Sequence, residues 1–585
     1  MLPTQGTGEG GFGLAEPAVI VEEQDKGLKK DLGFFSTLII GLNSTAPAYS
    51  LAAVLAGIVV AVGLQAPASL IVSFIPMFLI AASFYYMNRA DPDCGTTFTW
   101  VTRALGPWAG WIAGWAVTMT GILVIGSLAD VAALYTYSLF GLDGLHGSVI
   151  AVTILAVLFI IGTSALCIIG TEIAANFQTV LSVFQIGGLL LLAGVGLAKA
   201  LSGDVTTDPV EIGSIPVSMS NPSLEPSWFL PWDITSTSAL TAGLLIGVFI
   251  YWGWESSLSL NEENEDSNAS GRAGIASTVL LVLTYVLIGT ALVAYAGLDA
   301  FSAADKQGIE SQIFDDLATP ILGSPLDKLV LIAVLTSALA STQTTILPGA
   351  RTTLSMAFHK AFPPRFGEVS PRYFTPAFST VVIAILAIAW YVPLNLFAQA
   401  SLFDSLQALS LLIAFYYAIN GLSCFAFYRD EILRPGIWIP TAVTLIAAAG
   451  LLLTVGGIGD YYDLGSLFNL LIPIGAGLLA LLLITVLAGA RNFKSALFIG
   501  VAPLAGAFML GFVLVRSVLD LANPDTSSSG DVWLGVTPAL VMGVGFMLVG
   551  VVAMFIWRAV APRPFFARRP EVVSPEELAK APAGQ

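Results

Sequence analysis

The stretch Gly247-Val-Phe-Ile-Tyr-Trp-Gly-Trp-Glu-Ser256 places a carboxylate inside an otherwise apolar run of sequence. Glu255 follows Gly253 by two residues, so an ionisable group and a flexible backbone position coincide at membrane depth. A charge at the centre of a membrane-spanning helix is costly and commonly marks a substrate or ion pathway. The stretch therefore predicts a broken membrane helix at a functional site.

A second interruption lies far upstream, at Gly41-Leu-Asn-Ser-Thr-Ala-Pro47, between two apolar runs. Proline is favoured at the first position of a helix, and the Asn, Ser and Thr before it are good N-caps. The N–H groups of such a helix start attract anions, so an amino acid carboxylate would fit there. The alternative is a proline kink whose polar side chains bond locally. Paired broken helices in two halves of a chain are typical of the binding site of a secondary transporter.

Composition indicates an all-α integral membrane protein. The chain is 56% hydrophobic and 11% charged, whereas soluble proteins are roughly 25% charged. Apolar segments near or above about 20 residues mark membrane-spanning helices. Fourteen such segments are predicted, at 33–62, 66–88, 108–140, 147–167, 172–198, 239–260, 273–297, 326–357, 375–392, 404–428, 437–458, 466–489, 496–519 and 534–558.

Basic residues predict the orientation of these helices. With the N-terminus in the cytoplasm, the Lys and Arg residues that fall outside are few among the 23 in the chain, namely Lys199, Lys306, Lys328 and Arg516. Positive-inside insertion produces this asymmetry. We therefore expect a multi-pass protein of the cell membrane with both termini cytoplasmic. The net charge of −16 belongs mostly to loops and tails, and no nucleic-acid partner is expected.

Aromatic residues surround the break in the sixth predicted helix. Phe249, Tyr251, Trp252 and Trp254 offer apolar walls and cation–π contact with an ammonium group. Glu255 has three possible roles: it pairs with a substrate amine, carries a proton, or bonds backbone N–H groups and holds the unwound backbone in place.

Other chemistry is sparse in the sequence. Only two histidines are present, which leaves little material for metal clusters or catalytic triads. No GxxxxGK[ST] phosphate loop occurs. The acidic run 262–266 is expected to be a solvated loop with capping duties and not a metal site. The sequence thus predicts no enzyme activity, no bound metal and no resident cofactor.

Several further stretches carry a family resemblance. They are Ser44-Thr-Ala-Pro-Ala-Tyr-Ser-Leu-Ala52, Asp91-Pro-Asp-Cys-Gly-Thr-Thr-Phe-Thr-Trp100, Arg103-Ala-Leu-Gly-Pro-Trp-Ala-Gly-Trp111, Tyr251-Trp-Gly-Trp-Glu-Ser256, Gly349-Ala-Arg-Thr-Thr-Leu-Ser-Met-Ala357 and Pro371-Arg-Tyr-Phe-Thr-Pro376. In this order they resemble the amino acid–polyamine–organocation superfamily of permeases over residues 30–430.

The resemblance implies the LeuT-type fold, in which helices one to five and six to ten form inverted repeats and substrate binds between broken helices one and six. Substrate carboxylate contacts would then fall on Asn43, Ser44, Thr45 and Ala46. Amine contacts would fall on the backbone of Ile250, Tyr251 and Trp252 beside Gly253, with Phe249 as the gating aromatic. Glu255 matches a carboxylate common in the family.

The chain departs from that family in two places. Many members carry a lysine midway along helix five that stands in for a bound sodium ion, and the matching position here is Gln185. Gln178, Ser182 and Gln185 form one polar helical stripe that faces protein or water, and simple interhelical contact is the alternative reading. Second, the pair 437–458 and 466–489 resembles an insertion before the usual last two helices.

The predicted organisation follows from these points. It comprises a flexible tail (1–30), a ten-helix transport core (31–430), the extra helix pair (431–495), the last two helices (496–560) and a second flexible tail (561–585).

Candidates for a coupling-ion site lie on helices three, five and eight. Ala338, Ser341 and Thr342 share one face of helix eight and offer oxygen ligands to a small cation; ordinary back-bonding to a helix carbonyl is the alternative. Asp130 is a proton site, a gate residue or a group near the membrane surface. Gln185 completes the set, and the coupling ion is Na⁺ or H⁺.

These observations favour a secondary active permease that moves amino acids through the lipid bilayer by alternating access, with ion coupling or exchange. A permease for polyamines or other organic amines is the alternative transport function. A membrane sensor that keeps the fold without moving substrate is the alternative outside transport.

Overall fold

A computed structural model describes residues 32–264, 266–434, 492–561 and 565–568, together with five isolated positions, Leu28, Lys30, Thr444, Val486 and Gly489. Of the predicted helices 437–458 and 466–489, only the positions Thr444, Val486 and Gly489 are among the described residues. The predicted count of fourteen spanning helices is therefore untested.

The described chain is mostly helical. Its helices are α1 (Phe34–Ser44), α2 (Pro47–Val62), α3 (Ala66–Ala90), α4 (Thr97–Leu105), α5 (Pro107–Leu139), α6 (Asp143–His146), α7 (Val149–Ile169), α8 (Thr171–Ser202), α9 (Thr237–Ile250), α10 (Ser267–Ala296), α11 (Leu298–Gln307), α12 (Ile313–Leu322), α13 (Asp327–Phe358), α14 (Ala377–Phe397), α15 (Ser401–Ile432), α16 (Ala502–Asp520) and α17 (Pro538–Val560). A helical turn at Phe493–Ser495 and a π-helical turn at Ala496–Val501 lead into α16.

Eleven continuous stretches of the described residues are long and apolar enough to cross a membrane. The first, Phe34–Ala90, has 57 residues and holds both the first and the second predicted spans. Every predicted span inside the described residues falls on one of these helices or helical turns. The prediction of an all-α membrane protein is confirmed.

Two of the spans are broken where the sequence predicts. The first breaks at Thr45-Ala46, between α1 and α2, and α2 begins at Pro47. The sixth breaks at 251–253, after α9, and continues as a 3₁₀-helix over Trp254–Glu263. Gly253 has a φ of 113°, which a residue with a Cβ rarely adopts.

The two faces of the bundle are closed by different elements. On the face where α1 begins, termed the N face, α4 and the loop before it lie beside the end of α13. On the opposite face, termed the far face, α11 and α12 pack on α2 and α13. There the long segment 203–236 forms a short antiparallel hairpin, Val210–Ile212 with Ile215–Val217, and buries Trp228.

Candidate functional site

The two helix breaks touch each other through their backbones. A Cβ placed on Gly253 would lie 2.6 Å from the carbonyl oxygen of Ser44 and 3.1 Å from the nitrogen of Thr45. The hydroxyl oxygens of Ser44 and Ser256 are 2.7 Å apart. Glycine is therefore required at position 253 both for its φ and for this close approach. The structure brings the two sequence-predicted stretches together at one place in the bundle.

The polar stripe on α8 binds the end of α1. The amide nitrogen of Asn43 donates to the side-chain oxygen of Gln178 at 2.6 Å, and its oxygen accepts from Ser182 at 2.6 Å and from Gln185. Gln178 also donates to Gln343 of α13 at 2.8 Å. The stripe thus faces protein, and it ties the first, fifth and eighth spans together. Gln185 contacts the first broken helix directly.

The start of α2 is capped from another helix. Its N-cap is Ala46, in the left-handed region with a φ of 48°. The hydroxyl of Ser337 on α13 accepts from the N–H groups of Ala48 and Tyr49 at 3.2 and 3.3 Å. The expectation that Asn, Ser or Thr before Pro47 would cap α2 is therefore wrong.

The side chains of the expected caps are engaged elsewhere. Asn43 points to α8 and Ser44 to Ser256, as described above. The hydroxyl of Thr45 donates back to the carbonyl of Leu42 at 2.6 Å. These three side chains belong to the end of α1, and the backbone turn at Ala46 carries α2 away from them.

Tyr285 of α10 bridges the two breaks. Its hydroxyl lies 2.8 Å from the carbonyl oxygen of Ile250 and 3.5 Å from that of Thr45. The carbonyl of Thr45 also accepts from Ser50 at 2.6 Å. Unwound carbonyls that would otherwise be unpaired inside the bundle are satisfied in this way.

The aromatic residues of the sixth span line the break. Phe249 meets Tyr49 edge-to-face, with ring centroids 6.3 Å apart. Tyr251 is fully buried and donates to the carbonyl of Leu70 at 3.0 Å. Trp252 donates its ring N–H to the hydroxyl of Tyr416 on α15. Phe249 and Tyr49 thus face each other across the two broken helices.

Three donors hold the carboxylate of Glu255. One oxygen accepts from the hydroxyl of Tyr416, and the other accepts from Tyr417 and from the N–H of Gly253 at 3.0 Å. Glu255 is buried. Within the described residues, these donors are two tyrosine hydroxyls and a backbone N–H. The carboxylate therefore anchors the break to α15 and keeps an acidic group beside it.

The coupling-ion candidates Ser341 and Thr342 on α13, the eighth predicted helix, make two different kinds of contact. The hydroxyl of Ser341 donates to the carbonyl of Ser44 at 2.9 Å, so it reaches the broken part of the first span. The hydroxyl of Thr342 donates to the carbonyl of Ala338 at 2.8 Å, which is the back-bonding considered from the sequence. All three residues are buried beside α1. Oxygen atoms of both broken and unbroken helices thus meet at this place.

Asp130 lies inside the bundle and not at its surface. It is 5% exposed, and one carboxylate oxygen accepts from the hydroxyl of Tyr391 and, at 3.1 Å, from the amide of Asn395, both on α14. One turn earlier on α5, Ser127 lies 2.8 Å from the hydroxyl of Tyr49. Asp130 is therefore connected to the scaffold, and Ser127 links α5 to the aromatic pair at the break.

The N face is sealed by buried charges. Arg351 of α13 pairs with Glu263 at 2.5 Å, with both side chains buried. The N–H of Leu32 donates to the carbonyl of Glu263 at 3.0 Å, and the N–H of Cys94 donates to Glu262 at 2.7 Å. The expectation of a solvated acidic loop is wrong for Glu262 and Glu263. The sixth span continues through them, and the Arg351 guanidinium offsets one of the charges.

Three possible metal ligands also lie at this seal. One ligand atom each from Asp93, Cys94 and Glu262 lies within 4.8 Å of the others. Asp93 already accepts from Gly95 and Ser355, and Glu262 from Cys94. These contacts give the two carboxylates a role in joining the loop before α4 to its neighbours. The three cysteines are free and buried.

On the far face, Glu310 lies in the turn between α11 and α12 and is 6% exposed. Burial raises its pKa to about 7, and the charges of Asp305 and Asp404 add to the effect. The folded protein therefore binds a proton at the Glu310 carboxyl group more tightly than the unfolded chain does. The stability of the folded protein consequently falls as pH rises through about 7.

Glu310→Gln should accordingly raise the melting temperature of the detergent-solubilised protein by a few degrees at pH 8 and leave it nearly unchanged at pH 5. Thermal unfolding of the two proteins at both pH values measures this. Glu225→Gln, at an exposed position of the same face, is the control. An equal effect at both pH values would contradict the assignment.

Some residues of the site cannot be identified from the sequence alone. Tyr285, Ser337, Tyr416 and Tyr417 all contact a break, but each comes from a distant helix. The sequence signal for each of them is a polar side chain within an apolar span. Such a side chain needs a polar partner inside the bundle, but the sequence does not identify that partner.

Comparison with known proteins identifies the family. A family model for amino acid permeases matches residues 32–479. The chain belongs to this family. The family and the two breaks together confirm the predicted LeuT-type class. The family is one of transporters, in agreement with the prediction that the chain is not an enzyme.

This permease resembles several curated transporters at low identity. It is 24% identical over 349 residues to a vacuolar cationic amino acid transporter of Arabidopsis thaliana, covering 58% of this chain and 53% of the relative. It is 22% identical over 315 residues to an arginine/ornithine antiporter of Latilactobacillus sakei, covering 53% and 60%. The chain thus matches only part of the length of these two relatives.

Two further matches are longer. An uncharacterized transporter of Mycobacterium tuberculosis is 25% identical over 406 residues, covering 69% of this chain and 82% of the relative. Among solved structures, a Na⁺-coupled sialic acid symporter in a substrate-bound, outward-open state matches with a TM-score of 0.45 at 12% identity, covering 82% of this chain and 90% of the symporter.

Proposed function

We propose that this permease is a secondary active transporter of amino acids that binds its substrate at the two helix breaks. The observation that carries the proposal is the backbone contact of Ser44 with Gly253 beside the buried carboxylate of Glu255. Because both breaks are hinges in spanning helices, rocking of these helices against the scaffold would open the site to each face in turn.

The substrate carboxylate would bind at the start of α2. The N–H groups of Ala48 and Tyr49 already bond an oxygen atom there, the hydroxyl of Ser337. A carboxylate is a stronger acceptor than a hydroxyl and is favoured by the helix dipole. It would replace Ser337 as the acceptor, and the substrate amine would then lie toward the carbonyls bridged by Tyr285.

A second candidate is a transporter specific for cationic amino acids or other organic amines. Two observations favour it. Hydroxyl and backbone groups donate the hydrogen bonds described for Glu255, and two similar proteins are named as cationic amino acid and arginine/ornithine transporters. A cationic side chain would supply the charge that balances Glu255. A membrane sensor of the same fold is the candidate outside transport.

A matched set of competitors separates the substrate classes. Uptake of labelled lysine into proteoliposomes would be measured with unlabelled lysine, norleucine or cadaverine. Lysine and norleucine should both compete if the carboxylate end determines binding, whereas cadaverine, which lacks the carboxylate, should compete at least about tenfold more weakly. Competition by cadaverine equal to lysine would favour the amine permease, and failure of all three would contradict transport of lysine through a saturable site.

Coupling to Na⁺ or H⁺ is part of the proposal. Many members of the superfamily carry a positively charged lysine at the position of Gln185, whereas the side chain of Gln185 is neutral. The hydroxyl of Ser341 donates to a carbonyl of the first break. Carbonyl and hydroxyl oxygens suit a small alkali cation. Glu255 and Asp130 are the residues that would carry a proton instead.

The sodium form predicts that uptake rises with external Na⁺ at constant pH and ionic strength. Ser341→Ala with Thr342→Ala should then raise the Na⁺ concentration needed for half-maximal uptake by about tenfold or more. Thr336→Ala, which removes a back-bonding hydroxyl elsewhere on α13, is the matched control. Equal uptake in choline and sodium buffers, with full sensitivity to a protonophore, would contradict coupling to Na⁺ and support coupling to H⁺.

The proposed location is the cell membrane, with both termini in the cytoplasm. The distribution of Lys and Arg supports this orientation. In that orientation the N face described above is the cytoplasmic face, and the seal of Arg351 with Glu263 closes the cytoplasmic exit.

A further inference from the structure

A short C-terminal segment, Phe565–Arg568, docks on the N face of the bundle. Phe565 is 1% exposed and stacks on Phe98 of α4, with ring centroids 5.8 Å apart and planes at 23°. Phe566 packs against Trp108 of α5 at 4.8 Å. Burial of Phe565 and partial burial of Phe566 in such pairs is a substantial contact for a segment of four residues.

The same segment adds a polar contact. A guanidinium nitrogen of Arg568 lies 3.2 Å from Nδ1 of His359, and Nε2 of His359 lies 3.3 Å from Asp93. Arginine can only donate, so Nδ1 accepts and the ring proton is on Nε2, where it donates to the carboxylate. The docked Arg568 thus sets the tautomer with which His359 binds Asp93.

Asp93 belongs to the loop that closes the N face. Its carboxylate accepts from Gly95 at 2.7 Å and from Ser355 of α13 at 2.6 Å. The next residue, Cys94, donates its N–H to Glu262 at 2.7 Å. An unbroken series of contacts therefore runs from the C-terminal segment to the half of the sixth span that leads to the break.

We propose that Phe565–Arg568 is a latch that holds the loop 91–96 against the sixth span and keeps the N face closed. Undocking removes Phe565 from Phe98 and Arg568 from His359, and it lets the loop part from Glu262. The latch is a property of the fold and does not depend on the substrate. Only its consequence, faster opening of the site to the N face, depends on the proposed function.

Cys94 reports on this closure because it is fully buried beside Glu262. The experiment uses the full chain with Cys167→Ala and Cys424→Ala, so that Cys94 is the single thiol. Purified protein in detergent is treated with a maleimide, and the rate of modification is measured. Phe565→Ala with Phe566→Ala should raise the rate about tenfold or more, whereas Phe493→Ala, at an exposed aromatic residue, should leave it unchanged.

A peptide separates docking from general loosening. A synthetic peptide of residues 562–572, added to the double-alanine variant, should slow the modification of Cys94 again, and the same peptide with alanine at 565 and 566 should not. If the double variant unfolds, the rate of Cys94 modification is measured in Arg568→Ala instead, which removes the contact with His359. Modification at the parental rate, or a faster rate that the peptide does not reverse, would overturn the latch. If the peptide slows the modification of Cys94 but the parent protein takes up no amino acid, the transport proposal is contradicted and the latch is not.

Discussion

Gly253→Val should reduce amino acid uptake to the background of empty liposomes while the protein still inserts and purifies normally. A side chain at this position meets two obstacles: a φ of 113° and the backbone of Ser44 at 2.6 Å from the first added carbon. Backbone atoms cannot move aside as a flexible side chain can. The two broken helices would be forced apart at the place where substrate is proposed to bind.

Two further variants make this result interpretable. Gly253→Ala adds only the first carbon and should already lower uptake strongly, because the conflict is with that atom. Gly162→Ala, on α7 where no heavy atom lies within 4 Å of the added carbon, should transport normally. Uptake by a well-expressed Gly253→Val protein at the parental rate would contradict the role of the break.

Glu255→Gln should lower transport at least about tenfold, which corresponds to about 1.4 kcal/mol. The carboxylate accepts three hydrogen bonds, from Tyr416, Tyr417 and Gly253. An amide has one oxygen acceptor, so at least one of these donors loses its partner, at a cost of roughly 1–3 kcal/mol for a buried group. The break is then no longer anchored to α15 as before.

The same variant distinguishes the roles of Glu255. If the carboxylate pairs with a cationic substrate, the affinity for lysine should fall while that for norleucine persists. If it carries a proton, binding should persist and the dependence on a pH gradient should disappear. Tyr417→Phe is the matched control, since it removes one hydrogen bond and retains the charge. Parental affinity, rate and pH dependence in Glu255→Gln would contradict every role in transport.

Much of the architecture follows from local sequence. Apolar run length predicts the described spans because a membrane demands about 20 residues per helix. Pro47 and Gly253 predict the two breaks because one lacks an N–H and the other permits a positive φ. The spacing of Gln178, Ser182 and Gln185 predicts one shared face, and all three do contact Asn43.

The partners at the breaks do not follow from local sequence. Ser337 caps α2 from nearly three hundred positions away along the chain, and Tyr285 reaches both breaks from α10. Capping rules describe which residues suit a position next to a helix, and they are overridden when packing supplies a better-placed hydroxyl. For this reason the predicted capping of α2 by Asn43, Ser44 or Thr45 is wrong.

The acidic run 262–266 also differs in part from the solvated loop that its composition predicts. Glu262 and Glu263 belong to a strongly acidic run, which on composition alone favours solvent. Arg351 is more than eighty positions away and buried, and its pairing with Glu263 allows the sixth span to continue through the run. Buried charges are retained when they are paired, and that pairing is a property of the tertiary structure.

Counterflow in proteoliposomes tests the central claim most directly. Vesicles containing the permease would be loaded with unlabelled lysine and diluted into a trace of labelled lysine without any ion gradient. Alternating access at the helix breaks predicts a transient accumulation of label above equilibrium, present in the parent and in Gly162→Ala and absent in Gly253→Val. Saturable binding of lysine with no counterflow in the parent would contradict transport and leave a membrane sensor.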